Sequence, residues 1–204
     1  MLRVFHRRHA GRPVRVVWVL EELGAPYQLD VVRSEDRGGE EHRARHPLGR
    51  VPVLEDERGC IFESAAICMH LADLHPESGL LPALGTHERA LAYQWACFGP
   101  AELEPPLLDS LVYSESEPER AAKQAERFAK GMAAVSDALG EEDYLVANRF
   151  GVADVMIGSV IGFAQRAGRL DEMPENLKGY LARLQARPAF RRARDATAAD
   201  REAA

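Results

Sequence analysis

Cysteine is scarce in this chain. Only 3 occur in 204 residues, and Cys60, Cys68 and Cys97 are odd in number and form no CxxC pair. That excludes a disulfide scaffold and supplies no metal-ligand spacing. It points to a reducing, cytoplasmic compartment in which the thiols mostly pack as small hydrophobes. Positive charge is also in deficit. Lys and Arg number 26 against 32 Asp and Glu, a net charge of -6, so nothing global attracts nucleic acid. Long apolar runs are missing, because charges interrupt them every few residues, and no membrane span is expected. The opening Met1-Leu2-Arg3-Val4-Phe5 has no apolar stretch long enough for a secretory signal. A further absence is local. Between Met1 and Tyr27 there is no Ser, Thr, Tyr or Cys, so the first strand and helix carry no hydroxyl or thiol for chemistry.

What is present suits a globular fold. Apolar residues make up 46% and charged residues 28%, too apolar for disorder. A Pro- and Gly-rich break at Pro76-Glu77-Ser78-Gly79-Leu80-Leu81-Pro82-Ala83-Leu84-Gly85 divides the chain into two halves. Before it the pattern alternates. Residues 2–6 read as a strand, 13–23 as a helix with Pro13 in its first turn and Gly24 as its stop, and 27–32 as a strand. That is one βαβ unit. Residues 34–46 are polar with room for a short helix. Two strands then flank a turn at Glu57-Arg58-Gly59, and 64–75 read as a helix capped by Ser64. After the break, helices are expected over 86–98, from a Ser116-Glu117-Pro118-Glu119 capping box to about residue 139, from Phe150 to Val155 onward, over 174–186 and over 188–195. Pro100, Pro105 and Pro106 interrupt the region between the first two, and the tail from 196 frays.

Three places carry chemistry. Pro52 sits among β-branched residues, where a proline must mark a strand edge or a turn. Glu63-Ser64 stands at a strand-to-helix junction, where open N–H groups favour a carboxylate and Glu63 suits an ammonium group. Residues 1–20 hold Arg3, Arg7, Arg8, Arg12 and Arg15 with His6 and His9 and no acid, an excess that suits an anion near the loop His9-Ala10-Gly11-Arg12. His42 and His46 stand four apart, yet no carboxylate or thiol completes a metal site, and no metal is expected.

Four stretches together resemble the glutathione transferase superfamily. They are Arg15-Val16-Val17-Trp18-Val19-Leu20-Glu21-Glu22-Leu23-Gly24, His46-Pro47-Leu48-Gly49-Arg50-Val51-Pro52-Val53-Leu54, Glu63-Ser64-Ala65-Ala66-Ile67 and Phe150-Gly151-Val152-Ala153-Asp154. The resemblance implies an α/β thioredoxin-like domain over residues 1–79, a linker over 80–86 and an all-α domain over 87–204. It implies a cis Val51–Pro52 bond, with the backbone of Val51 pairing to glutathione as an added strand. Glu63 and Ser64 would hold the γ-glutamyl end, while Arg50 and Arg37 would tune affinity. Glutathione would be a co-substrate attacking a small apolar electrophile between the domains, near Trp95, Phe98, Leu107, Leu111 and Tyr113, in a homodimer. Glu102 and Glu104 would reach toward the second subunit.

The sequence departs from the family at the thiolate site. His6 stands where some classes place Tyr, and Ala10 to Arg12 stand where others place Ser or Cys. The remaining candidates are Arg12, in a Gly11-Arg12 pair like that of the pi class, then His9 and the N–H groups of Ala10 and Gly11. The missing hydroxyl keeps a second expectation alive, a non-catalytic binding or regulatory relative. Glutathione-dependent disulfide exchange, which needs no protein thiol, is a third.

Overall fold

The computed structural model describes residues 1–8 and 11–199. By its contacts the chain divides into two units, one of Met1–Leu81 with the stretch that starts at Ala186, the other of Pro82–Gln185.

In the first unit, strand β1 (Leu2–His6) leads through helix α1 (Gly11–Leu23) to strand β2 (Tyr27–Val31), which runs parallel to β1. A parallel pair needs such a crossover. The helix starts at Gly11 rather than Pro13, because the first-turn N–H groups have no intrahelical acceptor and a proline there loses nothing. Gly24, at φ 63, ends it. A 3-10 turn (Asp36–Gly38) and helix α2 (Glu40–Arg45) follow. Strands β3 (Val53–Asp56) and β4 (Gly59–Phe62) form an antiparallel hairpin whose turn is held by the Asp56 carboxylate, which accepts the N–H groups of Arg58 and Gly59. Helix α3 (Ser64–Leu74) closes the set, and the sheet order is β2-β1-β3-β4.

Alternation assigns the faces. Phe5, Val32 and Val53 form one buried cluster, with Arg45 of α2 placed 4.2 Å over the Phe5 ring. Val4 and its register partner Leu54 therefore share the opposite face, where Val16, Val17, Leu20, Ile67 and Leu71 of α1 and α3 are fully buried. Each such side chain contributes about 1.5–3 kcal/mol. His6 points to this same face by the period of two. Helix α9 (Pro188–Ala198) lies against α1: Phe190 meets Trp18 edge to face at 4.8 Å, and Arg187 grips Glu22 through two bonds of 2.6 and 2.8 Å. It runs past Asp195, with Ala193 and Thr197 buried, so the tail is ordered further than the pattern suggested.

The second unit is helical: α4 (His87–Phe98), α5 (Glu104–Val112), α6 (Pro118–Leu139), α7 (Val152–Arg166) and α8 (Glu175–Ala186). The prolines between α4 and α5 bend the chain without breaking it. A π-turn over Gly99–Leu103 absorbs Pro100, and Pro105 and Pro106 fall in the first turn of α5. Ser116 does not cap α6. Glu117 holds the cap position and no side chain bonds there. At Gly158 helices α7 and α8 approach closely: a Cβ there would stand 2.3 Å from Leu184 Cδ1 and would displace that side chain. Asp154, fully buried at the start of α7, accepts the N–H groups of Gly151 (2.8 Å) and Leu145 (3.0 Å) and the hydroxyl of Tyr180 (2.7 Å).

Replacing Asp154 strands two buried donors and one half-buried donor. Asp154→Ala should lower the unfolding free energy by about 4 kcal/mol, and Asp154→Asn, which keeps one acceptor oxygen, by less. Urea denaturation of the two variants measures both losses.

Candidate functional site

The ends of β1 and β2, the start of β3 and the end of β4 meet at one edge of the sheet, and α1 and α3 both begin there. The register aligns Phe5 with Val53 and Val53 with Phe62. Pro52 and Glu63 each stand one residue beyond these paired positions, at the same end of the sheet. The two central motifs therefore lie at one place.

Each motif has a distinctive backbone. The Val51–Pro52 bond is cis. Both residues precede β3, so Val51 stands outside the ladder and packs, half-buried, on the Phe5 cluster. Glu63 is exposed and adopts φ 71, ψ 112, left-handed for a residue with a Cβ, which costs about 1–3 kcal/mol. Backbone strain of this kind clusters at active sites and ligand clamps. Ser64 is not the cap that the pattern suggested. It is the first helical residue, and its hydroxyl accepts a bond of 3.2 Å from Arg15 Nη1, both side chains being buried. Among the described residues the Ser64 hydroxyl hydrogen meets no acceptor.

Arg15, one of the basic cluster of residues 1–20, stands against Ser64, a placement that the cluster does not reveal. It lies in a helix whose residues from 15 to 20 are all buried, so no polar face marks it out. Burial pushes its pKa down to about 9, which still leaves it cationic at neutral pH. Cys68, one turn after Ser64 on α3, is buried and pushed up to about 12, so it remains a thiol. Cys60 and Cys97 are exposed rather than packed.

Gly11 and Arg12 are the first two residues of α1, both exposed. His9 and Ala10 lie outside the described residues. Arg3, by contrast, is bonded to Asp30 (3.1 Å) and Glu55 (3.0 Å) on the other face.

The loop before Pro52 is tied down by its own residues. Arg37 Nε donates to the carbonyl of Gly49 at 3.2 Å, and a Cβ at Gly49 (φ +59) would meet the Arg37 carbonyl at 2.1 Å. His42 Nε2 bonds the Arg50 carbonyl at 3.0 Å, and His46 Nδ1 accepts the Leu48 N–H at 3.1 Å. The His46 ring meets Phe62 at 4.7 Å. Both histidines are thus occupied with the loop, and among the described residues no cluster of His, Cys, Asp or Glu is arranged for a metal. The Arg50 side chain is exposed.

Of the expected electrophile contacts, Trp95 and Leu107 are buried within the second unit, and Tyr113 carries the Arg120 guanidinium 3.5 Å from its ring centre. Glu102 pairs with Arg127 at 2.7 Å.

The family model for the glutathione S-transferase N-terminal domain matches residues 1–73, and that for the C-terminal domain matches residues 118–192. A probable glutathione S-transferase from Oryza sativa subsp. japonica is 31% identical over 191 residues, covering 85% of this chain and 86% of the relative. This chain belongs to the glutathione S-transferase family. The maleylacetoacetate isomerase of Pseudomonas aeruginosa is 29% identical over 213 residues, covering 100% of this chain and 99% of the relative. A sphingomonad glutathione S-transferase solved with glutathione is 27% identical, with a TM-score of 0.82 over 96% of this chain and 98% of that one. The fold is the family's thioredoxin-like unit with a helical unit after it. Among the described residues no helix is long and apolar enough to cross a membrane.

Burial lowers the pKa of His6, and Arg8 adds to this while Asp30 and the backbone of Arg7 oppose it. His46 is lowered chiefly by burial too, against the pull of Glu63. The unfolded chain takes up protons on these rings below the ordinary value of 6.5 while the native state refuses them. Stability is therefore lost as pH falls through that value. The urea midpoint should drop between about pH 7.5 and about pH 5.5, and less steeply in His6→Gln. An unchanged slope in the variant would clear His6 of this role.

Proposed function

We propose that this protein is a glutathione-dependent transferase that lays the tripeptide across the sheet edge and lets its thiolate attack a small apolar electrophile. The observation that carries the reading is that Val53 pairs with both Phe5 and Phe62, so the cis Val51–Pro52 bond and Glu63-Ser64 lie just beyond paired positions at the same end of the sheet, with a Ser64 hydroxyl hydrogen that meets no acceptor among the described residues. Val51 stands outside the ladder, which supports pairing of its backbone with the cysteinyl residue as an added strand. Ser64 and the first-turn N–H groups of α3 suit the γ-glutamyl carboxylate, and exposed Glu63 suits its ammonium group. Arg37 and Arg50 contribute about 0–1 kcal/mol each toward the other end.

A thiol has a pKa of about 8.5, and lowering it by about two units needs roughly 2.7 kcal/mol. Donors at the start of α1 can supply that: the N–H groups of Gly11 and Arg12 and the Arg12 guanidinium; His9 and Ala10, outside the described residues, are the further candidates of this reading. The thiol proton goes to solvent. The sulfur lone pair forms the S–C bond, and the leaving group departs with its electron pair. The same proposal includes a cytoplasmic homodimer, for which Leu108 and Val112 on α5 offer exposed apolar surface, 47% and 61% accessible.

A second reading has its own support. The lack of any hydroxyl or thiol between Met1 and Tyr27 favours a binding or regulatory module.

Calorimetry with glutathione, followed by ultraviolet titration of the bound thiol, separates them. The transferase reading expects binding, a thiol pKa near about 6.5, and about 30-fold weaker binding in Ser64→Ala. Arg12→Ala should return the thiol toward its ordinary value. Binding with an unshifted thiol supports the module, and no binding removes glutathione from either account. A mixed-disulfide turnover assay beside a conjugation assay tests disulfide exchange.

A further inference from the structure

We propose that Arg15 is a positioning residue that makes an anionic group, rather than a neutral one, the required ligand of Ser64. This rests on the glutathione reading above and concerns its γ-glutamyl end.

The geometry has three parts. Arg15 Nη1 donates to Ser64 Oγ at 3.2 Å from the neighbouring helix. That bond uses the hydroxyl as acceptor and fixes its rotamer, leaving its hydrogen as the donor for a ligand. Ser64 opens α3, so an acceptor placed there also meets first-turn N–H groups. The chain of contact runs from guanidinium to hydroxyl to ligand oxygen, and a cation at one end polarises the hydroxyl toward a stronger donor. Both Arg15 and Ser64 are buried, at 2% and 5% accessible, so water screens this field weakly. Cys68 beside them is held as a neutral thiol and does not cancel the charge.

A carboxylate gains from the field of the buried cation, whereas a carboxamide of the same shape gains little. Arg15 therefore acts on selectivity at a group it does not touch.

The test compares glutathione with its analogue in which the γ-glutamyl α-carboxylate is converted to the carboxamide, both measured by calorimetry. The wild type should prefer glutathione by about 30-fold, and Arg15→Met should reduce that preference to within about 3-fold. Arg15→Lys should restore part of it, and Ser64→Ala added to Arg15→Met should change the preference no further. A purely structural Arg15 would weaken both ligands equally and leave the ratio intact. An intact ratio in folded Arg15→Met overturns the proposal while the glutathione reading stands. A wild type that binds neither ligand overturns both. Should Arg15→Met fail to fold, nitrogen-15 spectra of wild-type protein decide: the Arg15 guanidinium resonances should shift with glutathione and not with the carboxamide, and an equal response to both overturns the proposal.

Discussion

The pairing of β3 between β1 and β4 is the constraint on which the rest depends. Because side chains alternate along a strand, the register that buries Val4 against Leu54 also sets Phe5 against Val53 and Val53 against Phe62. A slip of one residue would turn Leu54 out of its core and move Pro52 away from Glu63. Core burial and site assembly are thus the same event. The burial of Leu54, at 0% accessible, also enforces the placement of exposed Glu63.

Electrostatics at the sheet edge run against the whole. The chain carries a net charge of -6, yet two helix N-termini, Arg12 and buried Arg15 gather positive potential at one place. Burying a guanidinium is costly, and its lowered pKa records that cost. The strained backbone of Glu63 is a second local expense. Both lie where the γ-glutamyl end of glutathione is proposed to bind.

Much of the fold was legible from local pattern. The strand over 2–6, the helix ending at Gly24 and the hairpin turn at Glu57-Arg58-Gly59 follow from alternation and from residues that permit few backbone states. Ser64 and Ser116 both looked like helix caps, but Arg15, supplied by another helix, claims the Ser64 hydroxyl, and at α6 the cap position falls to Glu117. Arg15 itself sat in an apparent basic cluster with Arg3, although one is buried beside a helix start and the other is paired with carboxylates on the opposite face.

Sequence alone determined which elements form, because those depend on neighbours a few positions away, while the cis Val51–Pro52 bond was an implication of the family resemblance. The sequence also exposed the missing hydroxyl before Tyr27, a matter of composition. Only the tertiary structure decided that Arg15 meets Ser64, 49 residues later, and that the C-terminal helix returns to α1 through Arg187 and Glu22, 165 residues apart. Contacts at such separations are fixed by how the helices pack on the sheet, and no local pattern encodes that.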